Sequence, residues 1–289
     1  MRSTAVDNLS EVSTVERTAP AWVTPGGGDI NLLCRSDIAA ELIRIYTSHR
    51  WVHAALLEQK EATVFRGRLP VVAGTIGRHR VVVKRMSHGG MMTRIAKDAF
   101  LTASRALAHV ELAEDLTRHG IPTAQVVFVG WRRVYGLVRC EIGFAQIDGA
   151  VDADRYFFEG QLPEDWKRRA ESIGEMVARL HRVRFLHADL NLMNFLIGSD
   201  GRTWVLDLDK TTLSKRPPTE DEMSRNVDRL ERSIRKQGRA HRPALVEGIV
   251  DAIRGSYRKT MLCALQAAVA IELLLGNELL AGLALTRLL

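Results

Sequence analysis

The sequence predicts an α+β fold of two lobes, in which a small antiparallel sheet with one helix precedes a larger helical lobe. Short apolar segments interrupted by Gly and Pro occupy residues 63–142, as is typical of antiparallel strands. From residue 163 onward, apolar residues recur at helical spacing. Between these patterns, residues 180–210 carry polar side chains at a spacing that has a chemical explanation.

That stretch, LHRVRFLHADLNLMNFLIGSDGRTWVLDLDK, follows the catalytic spacing of protein kinases. Asn194 lies five residues after Asp189, and Asp207 lies thirteen residues after Asn194. Phosphoryl transfer needs a carboxylate beside the attacking hydroxyl and oxygen ligands for the Mg²⁺ that accompanies ATP. We predict that Asp189 orients the hydroxyl and that Asn194 and Asp207 bind the metal. His187 is expected to brace the loop by hydrogen bonding.

Each half of this pattern alone is weak, because Asp and Asn in loops commonly cap turns. The order helix, loop, short strand, turn and returning strand is the setting that the motif requires. Residues 195–197 and 204–208 are the predicted strands. The combination therefore favours a function in phosphoryl transfer.

The segments HADLNLMNFLI and WVLDLDK resemble the catalytic and metal-binding segments of the Kdo kinases (3-deoxy-D-manno-octulosonic acid kinases), a lipopolysaccharide-kinase family. Two sequence features are specific to this family within the wider protein-kinase-like superfamily. Asn191 replaces the usual basic residue two positions after the catalytic Asp, and residues 207–210 (DLDK) replace Asp-Phe-Gly. Residues 226–233 are similar to that family's N-L-x-R-L-x-R-S helix. The resemblance covers roughly residues 66–238.

The resemblance implies a bilobal protein-kinase-like fold, with Asn191 joining Asp189 and His187 in the catalytic set. It implies ATP and Mg²⁺ as cofactors and transfer of a phosphoryl group to Kdo on a lipid A precursor in lipopolysaccharide biosynthesis. The partner would be a lipid-linked anionic sugar, and no nucleic acid other than the nucleotide is expected. The protein would act at the cytoplasmic face of the inner membrane.

Four segments are predicted along the chain. Residues 1–29 form a leader rich in Ser, Thr, Pro and Gly, without the apolar region of a signal peptide, so we expect a cytoplasmic protein. Residues 30–145 form the small lobe and residues 146–260 the large lobe. Residues 261–289 form an apolar tail without an uncharged run of about eighteen residues. The tail is expected either to pack on the large lobe as a helical hairpin or to lie on a membrane surface.

In the small lobe, a helix is expected from residue 36, and residues 51–57 continue its pattern. Three strands follow within residues 63–84. Gly67 is predicted on the turn that covers the nucleotide phosphates, and Lys84 on the third strand as their ion partner. The glycine-rich loop is poor because RGRLP has a single glycine.

The next helix spans about residues 102–119 and is predicted to be αC, which in kinases supplies a Glu to hold the strand Lys. The expected position holds His109, so Glu111 is favoured over the neighbouring Glu114. A solvated role for both glutamates is the alternative. Two more strands follow, and Glu141 is predicted to mark the crossing between lobes, where the backbone would bond adenine.

The charge of the chain favours an anionic partner, since 41 Lys and Arg face 34 Asp and Glu. Helices are expected at 163–181, 219–237 and 243–260. The second places a basic face beside the site, formed by Arg225, Arg229, Arg232, Arg235 and Lys236. Such a face commonly serves solvation, yet a phosphorylated acidic sugar on a lipid would need it. The three cysteines lie far apart, which indicates a reduced compartment and no structural zinc.

Two other functions fit the same motifs. One is a related phosphotransferase that acts on a protein or a small polyol, because the motif specifies the chemistry and not the acceptor. The other is a pseudokinase that binds nucleotide or lipid as a membrane scaffold. The poor glycine loop and His109 favour the pseudokinase, whereas the intact Asp189, Asn194 and Asp207 favour an enzyme.

Overall fold

The small lobe is built on one antiparallel sheet of seven strands in the order β1-β2-β6-β7-β5-β4-β3. The computed structural model describes residues 21–25, 29–65, 71–87, 98–208 and 214–274. The strands are β1 Trp22–Val23, β2 Ile30–Arg35, β3 Thr63–Phe65, β4 Val71–Ile76, β5 His79–Arg85, β6 Val126–Val134 and β7 Leu137–Ala145. The predicted sheet is confirmed, and β1 and β2 extend it beyond the five strands expected.

The β6–β7 hairpin shows how local sequence specifies this sheet. Its two-residue turn consists of Tyr135 and Gly136, with φ of 50° and 79°. Positive φ at both turn residues matches the right-handed twist of the flanking strands. Gly136 adopts this conformation without steric cost.

Two short helices cover one face of the sheet, α1 Ala39–Ser48 and α2 Val52–Leu57. A 3₁₀ turn, Ser36–Ile38, precedes them. The chain is extended at His49 and Trp51, so residues 51–57 form a separate helix and do not continue the first. Apolar side chains of both helices are buried with those of the sheet, namely Leu42, Val52, Leu56, Val72, Val81, Val83 and Phe128.

Glu141 ties these helices to the centre of the sheet. Its carboxylate is fully buried and accepts hydrogen bonds from the Tyr46 hydroxyl at 2.7 Å and the Val52 backbone N–H at 2.6 Å. The His53 backbone N–H at 3.2 Å and ring Nδ1 at 3.0 Å complete the set. Burial and the neighbouring carboxylate raise the pKa of Tyr46 well above its usual range.

The prediction that Glu141 marks the lobe crossing is wrong. Glu141 lies within β7, opposite Arg85 of β5, and the strand pairing continues to Ala145. The strand is longer than expected because Gly143, Phe144 and Ala145 also join the ladder. The chain leaves the sheet only at Gln146, and the next strand begins at Val151. The four segment boundaries predicted from the sequence stay predictions.

The predicted αC helix is confirmed as α3, Ser104–Arg118. The large lobe contains α4 Ala153–Phe158, α5 Trp166–Arg182, α6 Glu220–His241 and α7 Pro243–Leu274. Its small sheet has the order β10-β9-β8, from β8 Val151–Asp152, β9 Phe195–Ile197 and β10 Thr203–Val205. This arrangement agrees with the predicted bilobal kinase-like α+β fold.

The large lobe is organised by the packing of α5 against α7. A Cβ atom at Gly174 of α5 would lie 2.2 Å from the Ile253 carbonyl oxygen of α7. Only glycine therefore permits this approach of the two backbones. Helix α6 begins with a capping box, in which the Thr219 hydroxyl accepts from the Glu222 N–H and the Glu222 carboxylate accepts from the Thr219 N–H.

Helix α7 is longer than predicted. Pro243 occupies its first position, as expected. The helix does not end at Thr260 but continues through Leu274, because the residues beyond Thr260 are good helix formers without a Gly or Pro. Leu262, Ile271 and Leu274 are exposed on this extension. Residues 275–289 of the predicted tail lie outside the described residues.

No helix in the described ranges has both the length and the apolar character needed to cross a membrane. The cysteines are unpaired: Cys34 and Cys140 are buried, and Cys263 on α7 is exposed. Burial raises the pKa of Cys34 to about 11 and that of Cys140 to about 12. These two buried thiols are therefore protonated at neutral pH.

We expect Glu141→Ala to lower the free energy of unfolding by about 3 kcal/mol, because buried donors of Tyr46, Val52 and His53 would lose their acceptor. Urea denaturation measures the change. Glu58→Ala is the control, since Glu58 is an exposed carboxylate that follows α2. Its effect should stay within about 0.5 kcal/mol. Equal effects of the two substitutions would contradict the role of Glu141.

Candidate active site

The catalytic loop connects α5 to β9 and is anchored by apolar side chains. Phe185, Leu190 and Leu192 are completely buried in the core of the large lobe. Asp189 lies exposed among these anchors. The alternation fixes the backbone of the loop while leaving its carboxylate accessible.

His187 braces the loop, as predicted from the sequence. Its Nε2 lies 2.8 Å from the Leu206 carbonyl oxygen, and its Nδ1 accepts from the Asp189 backbone N–H at 3.2 Å. Burial lowers the pKa of the ring, so the neutral form with a hydrogen on Nε2 satisfies both contacts. His187 thereby joins the residue before Asp207 to the backbone of Asp189.

Two amides complete the loop. Asn194 Nδ2 donates to the Asp189 carbonyl oxygen at 2.7 Å, which leaves its Oδ1 available for another group. Asn191 Nδ2 donates to the same carbonyl at 3.0 Å, and its Oδ1 is buried without a partner in the described part of the chain. Asn191 therefore supports the loop conformation rather than supplying the charge that a basic residue would bring.

Asp207 and Lys84 meet across the two lobes. Lys84 Nζ donates to Asp207 Oδ1 at 2.8 Å. Asp207 follows β10 with φ of 54°, a left-handed conformation that is costly for a residue other than Gly, Asn or Asp. This contact brings the predicted phosphate-binding lysine to the predicted metal ligand.

The predicted role of Glu111 is not supported by the described contacts. Glu111 is exposed on α3, whereas His109 is buried on its inner side. The His109 ring packs edge-on against Phe144, with centroids 5.4 Å apart. Lys84 Nζ lies 5.8 Å from the centroid of the same ring. The sequence alone did not show which residue of this helical turn faces the interior. The structure shows that His109 does and that Glu111 does not.

A row of mostly apolar side chains lies beside Lys84 on one face of the sheet. Thr63, Ala73, Val82 and Phe144 lie opposite one another across β3, β4, β5 and β7, so their side chains share one face. Lys84 lies two residues after Val82 on the same face. A cavity of about 830 Å³ adjoins this face and includes Thr63, Phe65, Ala73, Arg80 and Gln146 in its lining. Gly67 lies outside the described residues.

One face of α6 binds the backbone of the catalytic loop. Asn226 Nδ2 donates to the His187 carbonyl at 2.8 Å, and the Arg229 guanidinium donates to the Ala188 carbonyl. The Ser233 hydroxyl accepts from the Leu192 N–H at 2.9 Å. These residues are three and four positions apart and therefore share a helix face. The sequence contained this signal in residues 226–233, but their role was not inferred.

The predicted basic face of α6 is divided. Arg235 is paired with Glu231 and Glu247, each at 3.0 Å, and therefore contributes little net charge. Arg225, Arg229, Arg232 and Lys236 are exposed. Gln237 lies beside Met193, an exposed residue of the catalytic loop. The exposed basic side chains, which we call the α6 stripe, thus run along a helix that contacts the loop.

The described residues contain no group of three or more His, Cys, Asp or Glu side chains arranged to hold a metal. Asn194 and Asp207 offer one amide oxygen and one carboxylate. Such hard oxygen donors suit Mg²⁺, which commonly takes few protein ligands and completes its shell with phosphate and water. The donor set therefore fits a metal that arrives with a nucleotide.

Comparison with known proteins agrees with this geometry. The model of the lipopolysaccharide kinase (Kdo/WaaP) family matches residues 58–247. The chain is similar to a 3-deoxy-D-manno-octulosonic acid kinase of Xanthomonas euvesicatoria, with 30% identity over 54% of this chain and 61% of the relative. The enzyme of that name from Xylella fastidiosa is 27% identical, over 59% of this chain and 67% of the relative. The enzyme of that name from Pasteurella multocida is 29% identical, over 54% of this chain and 65% of the relative. The match to the Xanthomonas relative thus spans 61% of its length.

Acid should destabilise the protein through His181, which follows Leu180 at the end of α5. Burial lowers the pKa of its ring from 6.5 to about 4, so the unfolded chain binds the extra proton between these values. The stability that neutral His181 contributes is present above pH 6.5 and lost as pH falls to 4. The loss corresponds to about 3 kcal/mol.

Chemical denaturation of the wild type and of His181→Asn at pH steps from 7 to 4 tests this expectation. Asn cannot gain a proton in this range, so the free energy of unfolding of the variant should fall less steeply. Parallel curves for the two proteins would contradict the assignment.

Proposed function

The chain belongs to the lipopolysaccharide kinase (Kdo/WaaP) family, and on this premise we propose that it transfers the γ-phosphoryl group of ATP to a sugar hydroxyl. The acceptor class is Kdo attached to a lipid A precursor. The observation that carries the proposal is the contact between Lys84 and Asp207 at 2.8 Å, beside the braced Asp189. A phosphate-binding lysine and a metal-binding carboxylate must meet where phosphoryl transfer occurs.

Each side chain has a role in this reaction. The side chains of Ala73, Val82 and Phe144 would pack against the adenine base of ATP. The backbone after Ala145 would form hydrogen bonds with that base. Lys84 neutralises phosphate oxygens. Asn194 and Asp207 would hold Mg²⁺, which when bound would offset the charge of the phosphates.

The acceptor hydroxyl donates its proton to Asp189 as its oxygen bonds to the γ-phosphorus. The bond between that phosphorus and the bridging oxygen of ADP breaks at the same time. Asp189 is exposed and backbone-anchored, so its carboxylate is accessible while its position is fixed. The products are the sugar phosphate and ADP.

An anionic acceptor fits the surface beside the loop. The α6 stripe exposes four cationic side chains, and Arg229 also contacts the Ala188 carbonyl next to Asp189. Guanidinium groups bind carboxylate and phosphate in a bidentate manner. Exposed Met193 adds an apolar contact four residues after Asp189. A lipid-linked acidic sugar presents both kinds of group.

We further propose reversible contact with the cytoplasmic face of the inner membrane. Cationic side chains near an anionic surface contribute about 1 kcal/mol each. The exposed apolar side chains Leu262, Ile271 and Leu274 of α7 would add contact that salt does not screen. The protein would then reach a lipid acceptor by peripheral contact.

The direct test is incubation with ATP, Mg²⁺ and a Kdo-bearing lipid A precursor, with a protein substrate and a panel of free sugars and polyols in parallel, read by mass spectrometry. Phosphate on the lipid-linked sugar alone supports the proposal. Phosphate on a protein or a polyol instead would show that this molecule is the acceptor. Nucleotide binding without any product would indicate a pseudokinase, which the position of His109 favours.

We expect Asp207→Asn to abolish turnover, because an amide is a poorer Mg²⁺ ligand than a carboxylate. Asp189→Ala should lower kcat by about 10²–10⁴ while nucleotide binding stays largely intact. Asp251→Asn, an exposed aspartate on α7, is the matched control and should retain wild-type kcat. Wild-type kcat in Asp207→Asn would refute the assignment of Asp207 as a metal ligand. If Asp189→Ala lowered only the affinity for ATP and left kcat unchanged, Asp189 would have a structural role.

Charge reversal in the α6 stripe should raise the KM for the anionic acceptor at least about tenfold, with the KM for ATP unchanged. The variant is Arg232→Glu with Lys236→Glu. The control is Arg44→Glu with Arg78→Glu, which makes the same change of net charge at exposed positions on α1 and in the turn between β4 and β5. Sedimentation with anionic vesicles at low and high salt gives a second measurement. Equal acceptor KM values in the two variants would contradict the acceptor surface.

A further inference from the structure

A row of hydrogen-bonded side chains links α7 to the catalytic loop, in which His181 is buried and Tyr257 and Asn226 are half-buried. The Tyr257 hydroxyl lies 3.0 Å from His181 Nδ1, and His181 Nε2 lies 3.1 Å from Asn226 Oδ1. Asn226 Nδ2 reaches the His187 carbonyl at 2.8 Å. The chain therefore runs from α7 through α5 and α6 to the residue that braces the loop.

The hydrogen bonds of this chain have one consistent direction. Asn226 donates to the His187 carbonyl from its nitrogen, so its oxygen must accept from His181 Nε2–H. His181 Nδ1 then accepts from the Tyr257 hydroxyl, which requires the neutral ring. Burial lowers the pKa of His181 to about 4 and favours this form at neutral pH. Every donor and acceptor along the chain is thereby matched.

The chain ends at the two aspartates of the site. The His187 ring bonds the Asp189 N–H and the Leu206 carbonyl, directly before Asp207. A shift of the His187 backbone would therefore move both carboxylates. We propose that Tyr257, His181 and Asn226 are positioning residues that hold Asp189 and Asp207 at their working separation, an inference that rests on the proposed phosphotransfer function.

A purely structural role for the same residues predicts a different result. Hydrogen bonds between helices would stabilise the fold without affecting turnover of folded enzyme. A positioning role predicts a lower kcat with unchanged KM for ATP, because small displacements of reacting groups reduce rate strongly. The two roles are therefore separated by kinetics on folded protein.

The test compares Tyr257→Phe and Asn226→Ala with Tyr156→Phe. Tyr156 is a partly buried tyrosine of the same lobe whose hydroxyl bonds Asp165, so it controls for the loss of one hydroxyl. At a temperature where all variants are folded, we expect kcat to fall about threefold to tenfold in Tyr257→Phe and further in Asn226→Ala. Tyr156→Phe should keep wild-type kcat.

The pH profile supplies a second readout, taken only over the pH range in which circular dichroism shows every variant to be folded. Loss of the Tyr257 hydroxyl removes the donor that favours neutral His181, so the acidic limb of kcat should move upward by about 0.5–1 pH unit. Tyr156→Phe should leave that limb in place. An unmoved limb in Tyr257→Phe, with wild-type kcat, would overturn the proposal.

Hydrogen exchange measured by mass spectrometry separates this proposal from the proposed function. Faster exchange at residues 187–194 in Tyr257→Phe and Asn226→Ala, and not in Tyr156→Phe, supports the positioning chain even where the wild type phosphorylates no tested acceptor. In that case only the proposed function fails. If the exchange rates of residues 187–194 are unchanged in both variants, the positioning role of Tyr257, His181 and Asn226 is wrong, whether or not the wild type is active.

Discussion

The polar backbone of the catalytic loop imposes the constraint on which the large lobe depends. Several of its carbonyl and amide groups do not pair within a helix or strand, so side chains must satisfy them. Asn226, Arg229 and Ser233 do so from one face of α6, and His187 and Asn194 do so from within the loop. The exposed carboxylate of Asp189 therefore rests on a backbone that is bonded on several sides.

The small lobe solves a related problem with a buried charge. An isolated carboxylate in a core is unfavourable, yet Glu141 collects hydrogen bonds from Tyr46, Val52 and His53. These bonds attach the two N-terminal helices to the strand that pairs with β5. Because Lys84 lies on β5, the helices α1 and α2 support the strand that presents it.

In kinases a helix glutamate usually holds the lysine of this strand. Here His109 and Lys84 approach the same Phe144 ring, and Asp207 provides the carboxylate. An aromatic ring orients a cation without fully neutralising it.

The sequence by itself determined the two-lobed fold and the strand of Lys84, because local spacing constrains them. It also grouped His187, Asp189, Asn194 and Asp207 in one motif, and the chemical roles of these four residues stay predictions. Only the tertiary structure decided the positions of Glu111, Glu141 and Arg235. Helix rotation turned Glu111 outward, strand pairing extended β7 past Glu141, and Glu231 with Glu247 neutralised Arg235. Such outcomes depend on contacts between residues distant in sequence, which local patterns do not encode.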